Sequence, residues 1–453
     1  MKKLHVLTTS TITGALLLAS QSVFAAGFQI SAQSATGAGR AYAGDGIIGD
    51  NASVMAINPA AMALFDKTSF TMGATAIKPK ISVKDGTYTS NVSPNSSGSV
   101  GYDDAGSLAV APNMFLVIPL NEKFAVGAGL YSNFGTASSF DSSFPGEYGG
   151  ESSIMSGELA LAASYRLNEQ WSFGAGLDLI YGIGQFARNL QIQGNPTVSI
   201  TPNVNGNKFQ QACSAYNIKT NSKNPSKWNN CDHTFSADRD ANMADVDASG
   251  FGVGWNVGTT YELDENNRWG ISYHASPKIT ATGDMDGTLK ATGADELYVP
   301  LPDFAQFSGY NRIKGTKFAL SYTIGWTDWS KFDKLTTNGT PSTLENFEWK
   351  DTWNFAIGGT YYLTDKWTLR TGYMFDQGAQ DEVTTIAVPD SNRNWLSAGF
   401  SYAPSKDSSI DFGFTYLLGK DVDATQSYDH ISSIEATTHT DAIITGVQYS
   451  KTF

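Results

Sequence analysis

From Trp171 the chain alternates with a period of two. Trp171, Phe173, Ala175, Leu177, Leu179 and Tyr181 fall on one parity, and Ser172, Gly174, Gly176, Asp178 and Ile180 on the other. The pattern recurs from Phe318, where Phe318, Leu320, Tyr322, Ile324 and Trp326 alternate with Ala319, Ser321, Thr323 and Gly325. Successive side chains of a strand point to opposite faces, so each segment has one broad apolar face and one small or polar face. Similar alternation covers Ser69–Ala76, Phe124–Leu130, Leu159–Tyr165, Phe251–Tyr261, Trp353–Tyr361, Trp367–Phe375, Leu396–Tyr402, Ile410–Leu418 and Ala442–Phe453. Many of these segments reach the roughly 9–11 residues that a tilted strand needs to cross a bilayer, and aromatics gather at their ends. The fold class expected is all-β: a transmembrane antiparallel barrel of about twelve to fourteen strands, an even number being the rule.

The connectors are of two kinds. Tight ones fall at Asn121-Glu122, Asn168-Glu169-Gln170, Asp264 to Asn267, Leu363-Thr364-Asp365 and Pro404 to Asp407, and long polar tracts at about residues 79–110, 190–247, 277–303 and 420–440. Short turns on one side and long loops on the other match the periplasmic and outer sides of an outer-membrane barrel. Lys2 and Lys3, an apolar stretch from Val6 to Leu18 and Val23-Phe24-Ala25 read as a secretory signal over residues 1–25. No later segment offers 18 apolar residues in a row, which excludes helical membrane spans. Residues 26–67 break the alternation. They carry Gly37, Gly39, Gly44 and Gly46, then Asn58-Pro59-Ala60, a local helix start with Asn as cap and Pro in the first turn. This stretch is read as a partly helical hatch, and residues 68–453 as the barrel. The mostly small inward residues of the strands suit a barrel packed against such a plug.

Composition narrows the function. The net charge is −13, and removing the two signal lysines gives −13 − 2 = −15, so no basic stripe offers itself to nucleic acid. Cys213 and Cys231, the two cysteines, share one polar stretch and are expected to form a loop disulfide in an oxidising compartment. A metal site is not expected, since His233 is the one histidine nearby. No GxxxxGK[ST] motif occurs, and Gly250-Phe251-Gly252-Val253-Gly254 is inward-facing strand glycine rather than a dinucleotide fingerprint. No cofactor is expected. An outer-membrane phospholipase is the reading from a different class. It needs a serine nucleophile and a histidine base, and His233, His274, His430 and His439 sit in no recognisable nucleophile motif.

Ala26-Gly27-Phe28-Gln29, Gly37-Ala38-Gly39-Arg40-Ala41-Tyr42, Asn58-Pro59-Ala60 and Tyr131-Ser132-Asn133-Phe134-Gly135 resemble, in order and spacing, the FadL family of outer-membrane long-chain fatty acid transporters. Pro112-Asn113-Met114, Ser308-Gly309-Tyr310-Asn311-Arg312, Leu369-Arg370-Thr371-Gly372 and the stretch from Pro389-Asp390 to Trp395 extend the resemblance over most of the mature chain. It implies a barrel of about 14 strands closed by an N-terminal hatch. Ligand is caught at a groove between long outer loops, passes to an internal pocket, and leaves sideways through an inward kink in the third strand. The N-terminal peptide, with its aromatic third residue Phe28, would reach the pocket and shift on binding.

By the same resemblance Arg188, on the inward parity with Gly182, Gly184 and Phe186, would meet the ligand head group, and Asn133, Phe134 and Gly135 would form the gate. Asp376 would stand close to the N-terminal peptide. The family's second basic residue is a lysine. This chain has Glu345 at the ungapped position, with Lys350 five residues on as the candidate replacement. The expected function is passive uptake of long-chain fatty acids by a monomer that releases them into outer-membrane lipid. Each buried methylene contributes about 0.8 kcal/mol, so the acyl chain carries the driving force. A barrel of the same fold carrying neutral hydrophobic compounds such as aromatic hydrocarbons is the alternative.

Overall fold

The computed structural model describes residues 27–91, 97–192, 197–200, 231–234, 239–287, 293–339, 343–381, 383–428 and 431–453. Fourteen antiparallel strands close into a barrel. In chain order they are β1 Ser69–Ser90, β2 Ala109–Pro119, β3 Phe124–Tyr131, β4 Glu151–Arg166, β5 Trp171–Ile192, β6 Arg239–Asp264 and β7 Asn267–Ala275. There follow β8 Phe304–Arg312, β9 Phe318–Thr327, β10 Thr352–Tyr362, β11 Trp367–Asp376, β12 Arg393–Ser405, β13 Ser408–Leu418 and β14 Ser432–Thr452. Each pairs with its neighbours in sequence, and β14 closes on β1 in register from Ser69↔Thr452 to Ser90↔Ser432.

The predicted inversion of faces is present. Leu177, Leu179, Leu320 and Ile324 stand exposed on the outer wall, while Ser172, Asp178, Ser321 and Thr323 are buried inside. At the short-turn end, aromatics pair across strands: Trp171 with Tyr261 at 4.8 Å, Phe318 with Tyr361 at 4.7 Å and Trp367 with Tyr402 at 4.9 Å between ring centroids. This is one interfacial girdle of a membrane barrel.

The long polar tracts are not all loop, which corrects the sequence reading. β1 runs on to Ser90, β6 begins at Arg239 and β14 at Ser432, and the hairpin strands Lys278–Gly287 and Glu296–Pro300 rise above the wall. Beyond the membrane no face meets lipid, so the apolar parity disappears while the backbone ladder continues. Alternation therefore marks the membrane band rather than the full strand.

Residues 27–67 fill the lumen below the outer end. Helix α1, Ala35–Ala38, starts at Ser34, whose hydroxyl accepts from the Gly37 N–H at 3.0 Å. Asn58 caps the following segment by accepting from the Ala60 N–H at 3.0 Å, with Pro59 in the first turn, as the sequence suggested. The segment Pro59–Leu64 is a 3-10 rather than an α-helix. Inward glycines explain how it docks: a Cβ at Gly372 would overlap the Arg40 carbonyl, one at Gly413 the Ala35 carbonyl, and one at Gly174 the backbone of Pro59 and Ala60. Arg40, buried among these contacts, bonds Asp45 at 3.0 Å and Asp50 at 2.8 Å, and Arg370 of the wall reaches Asp50 at 3.4 Å.

Candidate ligand cavity and wall opening

Above the hatch the barrel holds a pocket with about 710 Å³ of empty space, part of it open to solvent. Its lining is mostly apolar. Phe28, at the start of the N-terminal peptide, packs its ring 4.8 Å from Trp329, 4.8 Å from Phe332 and 5.9 Å from Trp349. Leu297, Val299, Leu335, Phe347, Ala387 and Val388 complete the apolar wall. Near the outer end of β5 the lining turns polar at Arg188, with Gly184 and Phe186 on the same parity also facing in. The Arg188 guanidinium donates to the Glu151 carbonyl at 2.8 Å, the Ala187 carbonyl at 2.9 Å and the Ser152 hydroxyl at 2.8 Å. It lies 4.0 Å from the centroid of the Phe186 ring. No carboxylate of a described residue lies within ion-pair distance of it. A buried guanidinium held by neutral groups at the margin of a mostly apolar cavity has the chemistry to donate to an anionic or strongly accepting group.

Below this cavity the wall is interrupted. β3 stops at Tyr131, and the chain rejoins β4 only at Gly135, which pairs with Met155. β2 pairs with β3 over Met114–Pro119, so Ala109–Asn113 are bonded to β1 alone. The opening is bounded above by the Ser139 N–H, which donates to the Ala105 carbonyl at 2.9 Å. Ser132, Asn133 and Phe134 turn inward and meet the N-terminal peptide. The Ile30 N–H donates to the Asn133 carbonyl at 2.6 Å, and the Gly135 N–H to the Phe28 carbonyl at 2.8 Å. Gln33 donates to the Asn133 side chain at 2.7 Å. Glu158 of β4 clamps the turn, accepting from Tyr131 Oη at 2.5 Å and Asn133 Nδ2 at 2.8 Å.

A family model described as outer membrane protein transport protein (OMPP1/FadL/TodX) matches residues 16–453. The long-chain fatty acid transport protein of Shigella flexneri is 34% identical over 449 residues, covering 93% of this chain and 94% of that protein. Outer membrane protein P1 of Haemophilus influenzae is 33% identical over 440 residues, covering 93% and 92%. The chain belongs to the OMPP1/FadL/TodX family. The crystal structure of a Pseudomonas aeruginosa FadL homologue shares the fold, with a TM-score of 0.75 at 22% identity, covering 94% of this chain and 99% of that one. The protein is accordingly an outer-membrane barrel of a transport family.

Within this OMPP1/FadL/TodX barrel the anticipated basic pair is not formed. Lys350 points to the surface, half exposed, with its Nζ 2.9 Å from Asp381. Counting parity back from Trp353 fails because residues 347–351 are not strand, and Glu348 has a φ of +49° that reverses the chain. Glu345, in the short strand Thr343–Asn346, lines the cavity instead. Its aromatic neighbours Phe347 and Trp349 escaped the sequence reading, although four large aromatics at 329, 332, 347 and 349 were the available signal.

Asp376 is buried and lies 3.5 Å from Arg393, beside a second cavity of about 690 Å³ that Gln29, Ile30, Ser31 and Gln33 also line. It thus lines the same pocket as the N-terminal peptide. Phe28, Asn133, Phe134 and Gly135 come together at the kink, whereas Asn58, Pro59 and Ala60 dock lower down, on β5 and β6. Asn58 Nδ2 donates there to the Thr259 carbonyl at 3.2 Å. Residues 1–25 and Cys213 lie outside the described residues, and Cys231 begins a short strand paired with Thr197–Ile200.

Proposed function

We propose that this protein takes up long-chain fatty acids passively across the outer membrane, binding the chain among the aromatic lining and the head group at Arg188. The observation that carries this reading is the buried Arg188 at the margin of a mostly apolar cavity. A neutral hydrocarbon would give the guanidinium no role in recognition, whereas a carboxylate can take paired N–H bonds from it. From the cavity the route leads past Phe28 to the opening at Asn133, Phe134 and Gly135, and from there sideways into the bilayer. Lateral release follows the apolar gradient, since each methylene favours lipid over water by about 0.8 kcal/mol. Every wall strand finds its neighbours within one chain, which supports a monomeric unit.

The route is tested at Gly135, where an added Cβ would lie 2.9 Å from the Ile30 Cδ1. Gly135→Arg is expected to fold and to bind oleate while losing import of labelled oleate in cells that have no other fatty acid transporter. Import at the parental rate would remove the lateral route. Mass spectrometry of ligands that co-purify with the protein tests the substrate class. Recovery of neutral hydrocarbons without fatty acids would favour the alternative ligand.

A further inference from the structure

The cavity that receives Arg188 also receives two carboxyl groups. Glu345 comes from the strand Thr343–Asn346, and Glu147 from the loop between β3 and β4. Glu147 is held through one oxygen: its Oε1 accepts from Tyr88 Oη at 2.6 Å and from Ser432 Oγ at 2.8 Å, while its buried Oε2 has no hydrogen-bond partner among the described residues. Glu345 is not held, since its carboxyl makes no hydrogen bond or ion pair with any described residue and interacts with Arg188 through the field alone. The other elements around the cavity bring little charge. The N-terminal peptide contributes Phe28, the hairpin above β7 Leu297 and Val299, the strand Lys334–Thr337 Leu335, and the segment after β11 Thr385, Ala387 and Val388. Tyr148, beside Glu147, bonds Ser432 at 3.0 Å. With both glutamates ionised the lining carries one positive and two negative charges, which is unsuited to a second carboxylate.

We propose that Glu345 is a specificity-determining residue that makes this cavity bind its acid ligand together with one proton. The inference rests on the fatty acid reading given above. When the ligand carboxylate enters, like charges in a poorly solvated site cannot both persist, and the cheaper state protonates one of them. Glu345 takes a proton from solvent, its O–H donates to the ligand carboxylate, and Arg188 donates to that same head group. Charge balances, since one anion and one proton enter together and leave together. Burial already holds the Glu345 carboxyl above the usual glutamate range, and the attraction of Arg188 only partly opposes this.

The direction of the pH effect follows. Between the Glu345 pKa of the empty site and its higher value beside bound ligand, affinity rises as pH falls, by up to about tenfold per pH unit. Below that window the dependence vanishes, because Glu345 is protonated in both states. A lysine at the same position would need no proton, so Glu345 distinguishes this cavity from one with a second basic residue.

The test is titration calorimetry of the purified full-length mature protein in detergent, with oleate as the probe, in two buffers of different ionisation enthalpy. Wild type is expected to take up close to about one proton per oleate and Glu345→Gln close to none, and Glu345→Gln should bind with a dissociation constant that varies little with pH. Glu147→Gln should keep the wild-type proton count. Equal proton counts in wild type and Glu345→Gln would overturn the proposal while leaving oleate binding, and hence the transport reading, in place. Absence of oleate binding to both proteins would instead overturn the transport reading.

Discussion

Two parts of the N-terminal segment sit inside the same barrel and are held in opposite ways. The hatch body, from Ala35 to Leu64, is locked by backbone contacts against wall glycines and by the ion-pair set of buried Arg40 with Asp45, Asp50 and Arg370. The peptide before it, Gly27 to Gln33, has a cavity on each side: Phe28 lines the upper one, and Gln29, Ile30, Ser31 and Gln33 the lower. Backbone bonds to the kink, side-chain bonds with Thr75, Asn113, Asn133, Thr327 and Asp390, and the aromatic packing of Phe28 hold it in place. On the proposed route the hatch body is the fixed stopper and the peptide, bordered by empty space on both sides, the displaceable part. The bond that the Gly135 N–H donates to the Phe28 carbonyl joins the floor of the cavity to the wall opening, so on the proposed route a ligand that moves Phe28 would also pull on the gate.

This contrast is open to attack from both sides. The largest effect is expected at Arg40. Arg40→Leu leaves Asp45 without its cation and Asp50 with Arg370 alone. Breaking a buried pair from one side costs about 3–5 kcal/mol, an upper bound here because the two carboxylates are partly exposed. Slow hydrogen exchange in residues 35–64 should become fast, while the wall strands keep their protection. A somewhat smaller loss is expected for Gly372→Val, which drives a side chain into the Arg40 carbonyl, overpacking being worth about 1–3 kcal/mol. It should expose the hatch to added protease without dissolving the barrel. The smallest effect on stability is expected for Phe28→Ala. In a fixed core this truncation would cost about 3–5 kcal/mol. Because the peptide can open locally, the thermal midpoint in detergent should barely move while oleate binding weakens. A fall in midpoint as large as that of Arg40→Leu would show the peptide to be part of the stopper.

Much of this arrangement was legible in the sequence, and the limit has a physical cause. Parity identified the wall wherever lipid imposed it, as at Trp171 to Tyr181, and the small inward residues announced a close-packed plug. Arg188 was legible because it continues an inward parity inside a long strand. The same rule failed at Lys350, where the chain has left the strand and parity carries no information. It was also silent above the membrane, where β1, β6 and β14 continue through polar sequence. Glu158 went unread for a different reason: a single acid among small inward residues has no partner in its own segment, and Tyr131 and Asn133 meet it only across the kink.

The central claim is that an amphiphile lies in the upper cavity with its carboxylate on Arg188. The most direct measurement is a pair of dissociation constants for Arg188→Ala, one for oleate and one for methyl oleate, each compared with wild type. The account predicts a loss of about 1.5–3 kcal/mol for oleate, the range for hydrogen bonds to a charged group, and little change for the ester. Equal losses for the two ligands would mean that Arg188 braces the ends of β4 and β5 without reading the head group. No loss for either would contradict the account and favour a neutral hydrophobic cargo.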